Sequence, residues 1–203
     1  MEKTVPDTLP VDPPDPDVIA TLSTQDWLDA AKAILIADGV EAVKVDRIAR
    51  HCGVTRGGFY WRFKNRADLL SQLLETWRRT NTQPLIEALN GPGSVADRFV
   101  AGAELWINEE AFDPRFDTAV RTWAHSSPEV AQAVAEIDQQ RIAAFHSLFE
   151  EAGYRSDEAL VRARITYFHQ IGYYALHIRE VHSDRIKLSR YYYKVLTGLP
   201  EFS

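Results

Sequence analysis

KVDRIARHCGVTRGGFYWRFKNR, residues 44 to 66, sets seven basic side chains (Lys44, Arg47, Arg50, Arg56, Arg62, Lys64, Arg66) against a single acid, Asp46. The 203-residue chain has a formal charge of −6, so with +6 in this stretch the remainder carries −12. A local cationic patch on an acidic protein is the electrostatic footprint of docking on phosphates at one face. The apolar pattern is helical: Val45, Ile48 and Ala49 share a face, Gly53-Val54-Thr55 interrupts, and Phe59, Tyr60 and Phe63 resume. Two short helices joined by a Gly-containing turn predict a helix-turn-helix.

The turn has a specific chemistry. Gly53 stands where a helix must stop, a position that usually needs positive φ. Val54 can plug the angle between the helices, and Thr55 can cap the second helix through its hydroxyl. That second helix is the expected reader of a major groove, with its N-terminal residues foremost. Gly57 and Gly58 each cost up to about 1 kcal/mol in a helix. At the front of a reader they leave no side chain to block close approach of backbone to DNA.

Outward from this stretch, stop and start signals divide the chain. Residues 1 to 22 hold five of the ten prolines and five acids against one Lys, which predicts a disordered acidic tail. Ser23 and Asp26 form a capping box for a first helix carrying Leu28, Ala31, Ile34 and Leu35, which Gly39 ends. Asn65 and Asp68 open a long helix through Leu69, Leu73 and Trp77 that stops before Asn90-Gly91-Pro92-Gly93. Further starts fall at Ser94, Pro114 and Ser127-Pro128-Glu129, then at Ser156 for a helix to about 180 and at Asp184 for one to about 196. No strand pattern appears. The expected fold is all-α with about nine helices: a tail over 1–22, a helix-turn-helix domain over 23–68 and a helical domain over 69–203.

From Trp27 to Leu70, the residues Ala31, Gly39, Ile48-Ala49, Gly53-Val54-Thr55, Tyr60-Trp61-Arg62-Phe63 and Asp68-Leu69-Leu70 resemble the DNA-binding domain of the TetR family. The resemblance implies a helical, homodimeric, ligand-responsive transcriptional regulator, usually a repressor, whose helix after the reader acts as a lever. Three positions depart from the family pattern: Arg62 replaces a usual His, Arg66 a usual Lys, and Lys44 a usual Thr or Ser cap. The expected DNA contacts are Thr55, Arg56, Gly57 and Gly58 at the reader's front, with Arg56 the candidate for a bidentate guanine contact. Tyr60 and Trp61 are expected against backbone or a thymine methyl, and Lys44, Arg47, Arg62, Lys64 and Arg66 against phosphates.

The last two helices carry more apolar surface than one stripe can bury: Phe168, Ile171, Gly172, Ala175, Ile178, then Tyr191, Tyr192, Val195. They are expected to form half of a four-helix homodimer interface, as the resemblance also implies. A two-fold axis would place two readers about 34 Å apart on one DNA face. Trp106, Trp123, Tyr167, His169 and Tyr173 combine apolar bodies with polar tips and Phe145 adds an apolar ring, as pocket linings do. They are the expected ligand pocket, for an apolar or aromatic effector.

Catalysis finds no constellation. His146 and Glu150 share a helix face and His169 and His177 lie on the next helix, without metal-ligand spacing, a CxxC pair or a phosphate loop. No cofactor, metal or membrane span is expected, and the single Cys52 suits a reducing cytosol. A helical enzyme or a small-molecule-binding scaffold would also explain the aromatics. Neither explains the charge contrast at 44 to 66.

Overall fold

The computed structural model describes residues 22–202, so the tail expected over 1–22 lies almost wholly outside the described residues. Among these, nine α-helices follow one another with no strand. They are α1 (Thr24–Asp38), α2 (Val45–His51), α3 (Gly57–Tyr60), α4 (Arg66–Leu89), α5 (Val95–Asn108), α6 (Pro114–Ala124), α7 (Pro128–Glu151), α8 (Ser156–Ala175) and α9 (His182–Thr197), with 3-10 turns at Val40–Ala42 and Pro200–Phe202.

The starts are chemically determined. Ser23 and Ser94 each close a reciprocal capping box, with Asp26 and Asp97 respectively. Asn65 Oδ1 accepts from the Asp68 amide at 2.9 Å, and Asp113 and Ser127 cap helices that open on Pro114 and Pro128.

Helix α8 ends earlier than its sequence suggests, at Ala175 rather than near 180. His177 takes φ 51, and the Ile178 amide closes back on the Tyr173 carbonyl at 3.3 Å. This is a left-handed helix stop built without glycine, so no punctuating residue announced it.

Two apolar cores form. One joins α1 to α4 with Phe116, Val120 and Trp123 of α6 and Val130, Ala133 and Ile137 of α7. The other packs Leu85 and Leu89 of α4 with Phe99 and Trp106 of α5, Phe145 and Phe149 of α7, and Ala163 and Tyr167 of α8. Helix α4 contributes to both, so its movement is felt in each. The first core does not stop at the end of the helix-turn-helix; it continues through α6 and α7.

Candidate nucleic-acid interface

Helix α2 ends in a Schellman closure: the Val54 amide donates to the Ala49 carbonyl at 2.9 Å and the Gly53 amide to that of Arg50 at 3.2 Å, with Gly53 at φ 70. Val54 is buried at the angle, and Phe59 and Phe63 behind it stack at 5.1 Å, with Trp27 of α1 edge-on to Phe59. The short α3 is therefore aimed by its buried face.

What remains outward is the front. Thr55, Arg56, Gly57, Tyr60 and Trp61 are exposed, Trp61 to 88 %. Lys44, Arg50 and Lys64 are exposed around them. Arg56 pairs with Asp46 at 3.0 Å, with both side chains about two-thirds exposed (67 % and 62 %). Exposed pairs of this kind contribute only about 0–1 kcal/mol, so Arg56 is readily given up to another anion. Arg47 pairs with Asp38 of α1.

Four expectations need correction. Thr55 does not cap α3: Arg56 occupies that position and no side chain caps it. Gly58 is buried beside Phe59 instead of fronting the helix. Arg62 and Arg66 do not stand ready for phosphates. Arg62 donates to the Gly58 carbonyl at 3.1 Å and to the carbonyl of Leu22. Arg66 donates to the carbonyls of Val43 and Val40, both at 2.6 Å.

Arg62 ties the end of α3 to the segment before α1, and Arg66 ties the start of α4 to the 3-10 turn after α1, roles that net charge along a sequence does not distinguish from phosphate binding. Arg66→Ala removes both bonds, leaving the Val43 carbonyl without its side-chain partner and the Val40 carbonyl with the Val43 amide alone, and is expected to cost about 1–3 kcal/mol of stability. A denaturant titration checks this; an unchanged midpoint would return Arg66 to the list of DNA contacts.

Residues 28–73 match the family model described as bacterial regulatory proteins, tetR family. TtgR of Pseudomonas putida, an HTH-type transcriptional regulator, is 31 % identical over 117 residues, covering 56 % of this chain and 54 % of TtgR. The N-terminal part of the chain is therefore similar to the tetR family of regulatory proteins. The chain spans between 22 % and 54 % of the lengths of the curated relatives it matches.

Solved structures of transcriptional regulators, one of them described as TetR-family, agree in fold. One from Marinobacter aquaeolei superposes with a TM-score of 0.66 at 15 % identity, covering 89 % of this chain and 93 % of that one. FadR from Bacillus subtilis, solved in complex with stearoyl-CoA, superposes at 0.61 with 16 % identity, covering 87 % and 98 %.

The pocket residues expected in the helical domain do not converge on one site. Trp106, His169 and Tyr173 line a small cavity of about 50 Å³ between α5, α8 and α9. Trp123 and Tyr173 border a separate open cleft of about 860 Å³ between α1, α6 and the end of α8. Phe145 is fully buried among Phe99, Trp106 and Leu148 and lines neither.

Tyr167 lines neither as well, because it belongs to an ionic network. Its hydroxyl donates to Asp138 at 2.5 Å and accepts from Arg121 and Arg141. Burial pushes the phenol up to about 12. Arg141 itself, 1 % exposed, was not singled out from sequence; an Arg inside an apolar helical stripe was the available signal.

The expected dimer face is mostly open. Phe168, Ala175, Ile178, Tyr191, Tyr192 and Val195 are exposed, whereas Ile171 packs partly into its own core. A Cβ built on Gly172 would meet nothing within 4 Å. His146, once weighed as catalytic, bonds to Ser156 and pairs with Glu150 at 3.4 Å. Among the described residues no helix is long and apolar enough to cross a membrane.

Proposed function

We propose that this TetR-family regulator binds a palindromic operator as a homodimer, represses from it, and is released by a small apolar or aromatic effector. The observation that carries the reading is the exposed cationic and aromatic front, Arg56, Tyr60 and Trp61, on a helix-turn-helix of a net-acidic protein. Arg56 is the base reader; Lys44, Arg50 and Lys64 hold phosphates, and Tyr60 and Trp61 pack on the sugar–phosphate edge. Arg50 joins the contact set because its side chain is exposed beside Lys44, while Arg62 and Arg66 leave it. The open faces of α8 and α9 support a second copy, and release by a ligand accords with the helical domain's cavities.

Selecting bound fragments from random duplex DNA at low salt tests the proposal directly. Against the selected duplex, Arg56→Ala is expected to cost about 1–3 kcal/mol and to relax preference at one base pair. Lys64→Ala is expected to weaken all duplexes alike and to flatten the dependence of log K on log salt by about 0.9. Failure to retard any duplex at low ionic strength would end the reading.

A further inference from the structure

The cavity between α5, α8 and α9 contains two polar groups that no described residue satisfies. Thr166 and Gln170, 3 % and 7 % exposed, sit one turn apart on α8 and line it, and neither Thr166 Oγ1 nor Gln170 Nε2 has a hydrogen-bond partner. An orphaned buried hydroxyl or amide costs about as much as a lost hydrogen bond, so a fold keeps one when something else supplies the partner.

Thr166 is the more telling of the two. Helical threonines ordinarily turn the hydroxyl back onto the carbonyl four residues earlier. Thr76, Thr80, Thr118, Thr122 and Thr197 all do so here, at 2.7 to 3.0 Å. Thr166 does not, and instead faces the cavity with the Gln170 amide.

The walls define the rest of the occupant. Phe99, Trp106, Tyr192, Tyr193 and Leu196 make the lining largely aromatic. At the rim Arg185 pairs with Glu109 at 2.7 Å, and Glu180, which keeps its negative charge, accepts from the Tyr173 hydroxyl at 3.2 Å. Burial and the neighbouring Arg185 hold His169 below its ordinary pKa, so its ring is neutral near pH 7. The site therefore offers hydrogen-bond donors in an aromatic box whose rim holds no unpaired cation and one carboxylate, which favours an uncharged occupant over an anion.

We propose that this cavity is the effector site and that it takes an uncharged aryl ketone or related ring-bearing carbonyl compound, whose oxygen accepts from Gln170 Nε2 and Thr166 Oγ1. This rests on the ligand-responsive reading given above. At about 50 Å³ the cavity is smaller than such a ligand, so entry requires α9 to move away from α8. Helix α9 is suited to that movement, because Thr197 is its one buried residue.

The test uses the full chain without DNA, titrated calorimetrically with acetophenone, propiophenone and benzophenone. Each is compared with its hydrocarbon counterpart, ethylbenzene, propylbenzene or diphenylmethane, and benzoate supplies the charged arm. At least one ketone is expected to bind tenfold or more tightly than its hydrocarbon, with benzoate weaker than acetophenone. Gln170→Leu and Thr166→Val should each abolish the ketone preference.

The same two variants should melt at or above the temperature of the parent, because they remove an unsatisfied group. No ketone binding, equal binding of ketone and hydrocarbon, or tighter binding of benzoate would overturn the assignment. So would a fall in melting temperature on Gln170→Leu, which would reveal an internal water as the amide's partner. Retardation of the selected duplex, measured separately on the same variants, is expected to be unchanged. Loss of duplex binding in the parent protein would instead count against the DNA reading and leave the pocket standing.

Discussion

Asp117→Asn is expected to destabilise the protein by about 3–5 kcal/mol, the cost of leaving a buried cation without its partner. Asp117 is 2 % exposed and its carboxylate is shared three ways. Oδ1 accepts from Trp77 Nε1 at 3.0 Å and from both terminal nitrogens of Arg141 at 3.2 Å, and Oδ2 from Arg121 Nε at 2.7 Å. Arg141, 1 % exposed, also bonds the Thr82 hydroxyl and the Asn81 carbonyl, and Trp77 and Phe112 lie near its guanidinium. With Asn at 117 the geometry survives but the charge of Arg141 does not find its balance. A thermal melt should move down by roughly 6–20 °C, taking about 2–4 °C per kcal/mol for a chain of this size. A shift under about 2 °C would mean that the network is solvated and carries little.

The same network dictates an acid limb. Burial alone would raise the Asp117 carboxyl, but Arg141 and Arg121 outweigh it and its native pKa lies below the ordinary carboxylate value. A depressed native pKa contributes stability that is complete above the unfolded pKa near 4 and is lost as pH falls through the native one. Unfolding free energy should therefore drop below about pH 4 in the parent, and the drop should shrink in Asp117→Asn. Because Asn81 and Thr82 lie on α4 while Asp117, Arg141 and Tyr167 lie on α6, α7 and α8, these bonds fix the long helix behind the DNA reader to the body. Movement of α4 must stretch them.

Sequence carried the helix-turn-helix because each of its parts uses local chemistry: a glycine at positive φ, a periodic apolar face, a capping Asn. The same holds for the capping boxes at Ser23 and Ser94. What it did not carry depends on partners distant in the chain. Arg62 and Arg66 look like phosphate ligands by charge, and only the fold shows their guanidiniums on carbonyls of residues 22, 40 and 43. Tyr167 and Phe145 have pocket-like chemistry, yet one is drawn into an ion network and the other into an aromatic core. Gln170 and Thr166, two of the buried groups that lack a partner among the described residues, gave no signal in sequence, since being unsatisfied is a property of surroundings.

Phe168→Glu is expected to raise the dimer dissociation constant by at least a hundredfold and to abolish retardation of a palindromic duplex. Val161, Ile165 and Phe168 on α8, with Leu176 at its C-cap, recur at helical spacing along one exposed face. On α9, Leu188, Tyr191, Tyr192 and Val195 do the same, with Val195 77 % exposed. Full burial of one Phe contributes about 1.5–3 kcal/mol. In a two-fold interface each substitution acts twice, so losing that burial alone amounts to about 3–6 kcal/mol, before the added carboxylates are desolvated. Within a single chain Phe168 is 57 % exposed, so the fold itself should be untouched and the helical circular dichroism unchanged. Sedimentation velocity at micromolar concentration reads the assembly, and retardation reads the consequence. Two readers must land about one DNA turn apart, and a monomer supplies only one. A Phe168→Glu protein that still sediments as a dimer would place the two-fold contact elsewhere. One that is monomeric yet holds the palindrome undiminished would show that the paired body does not set the spacing of the readers.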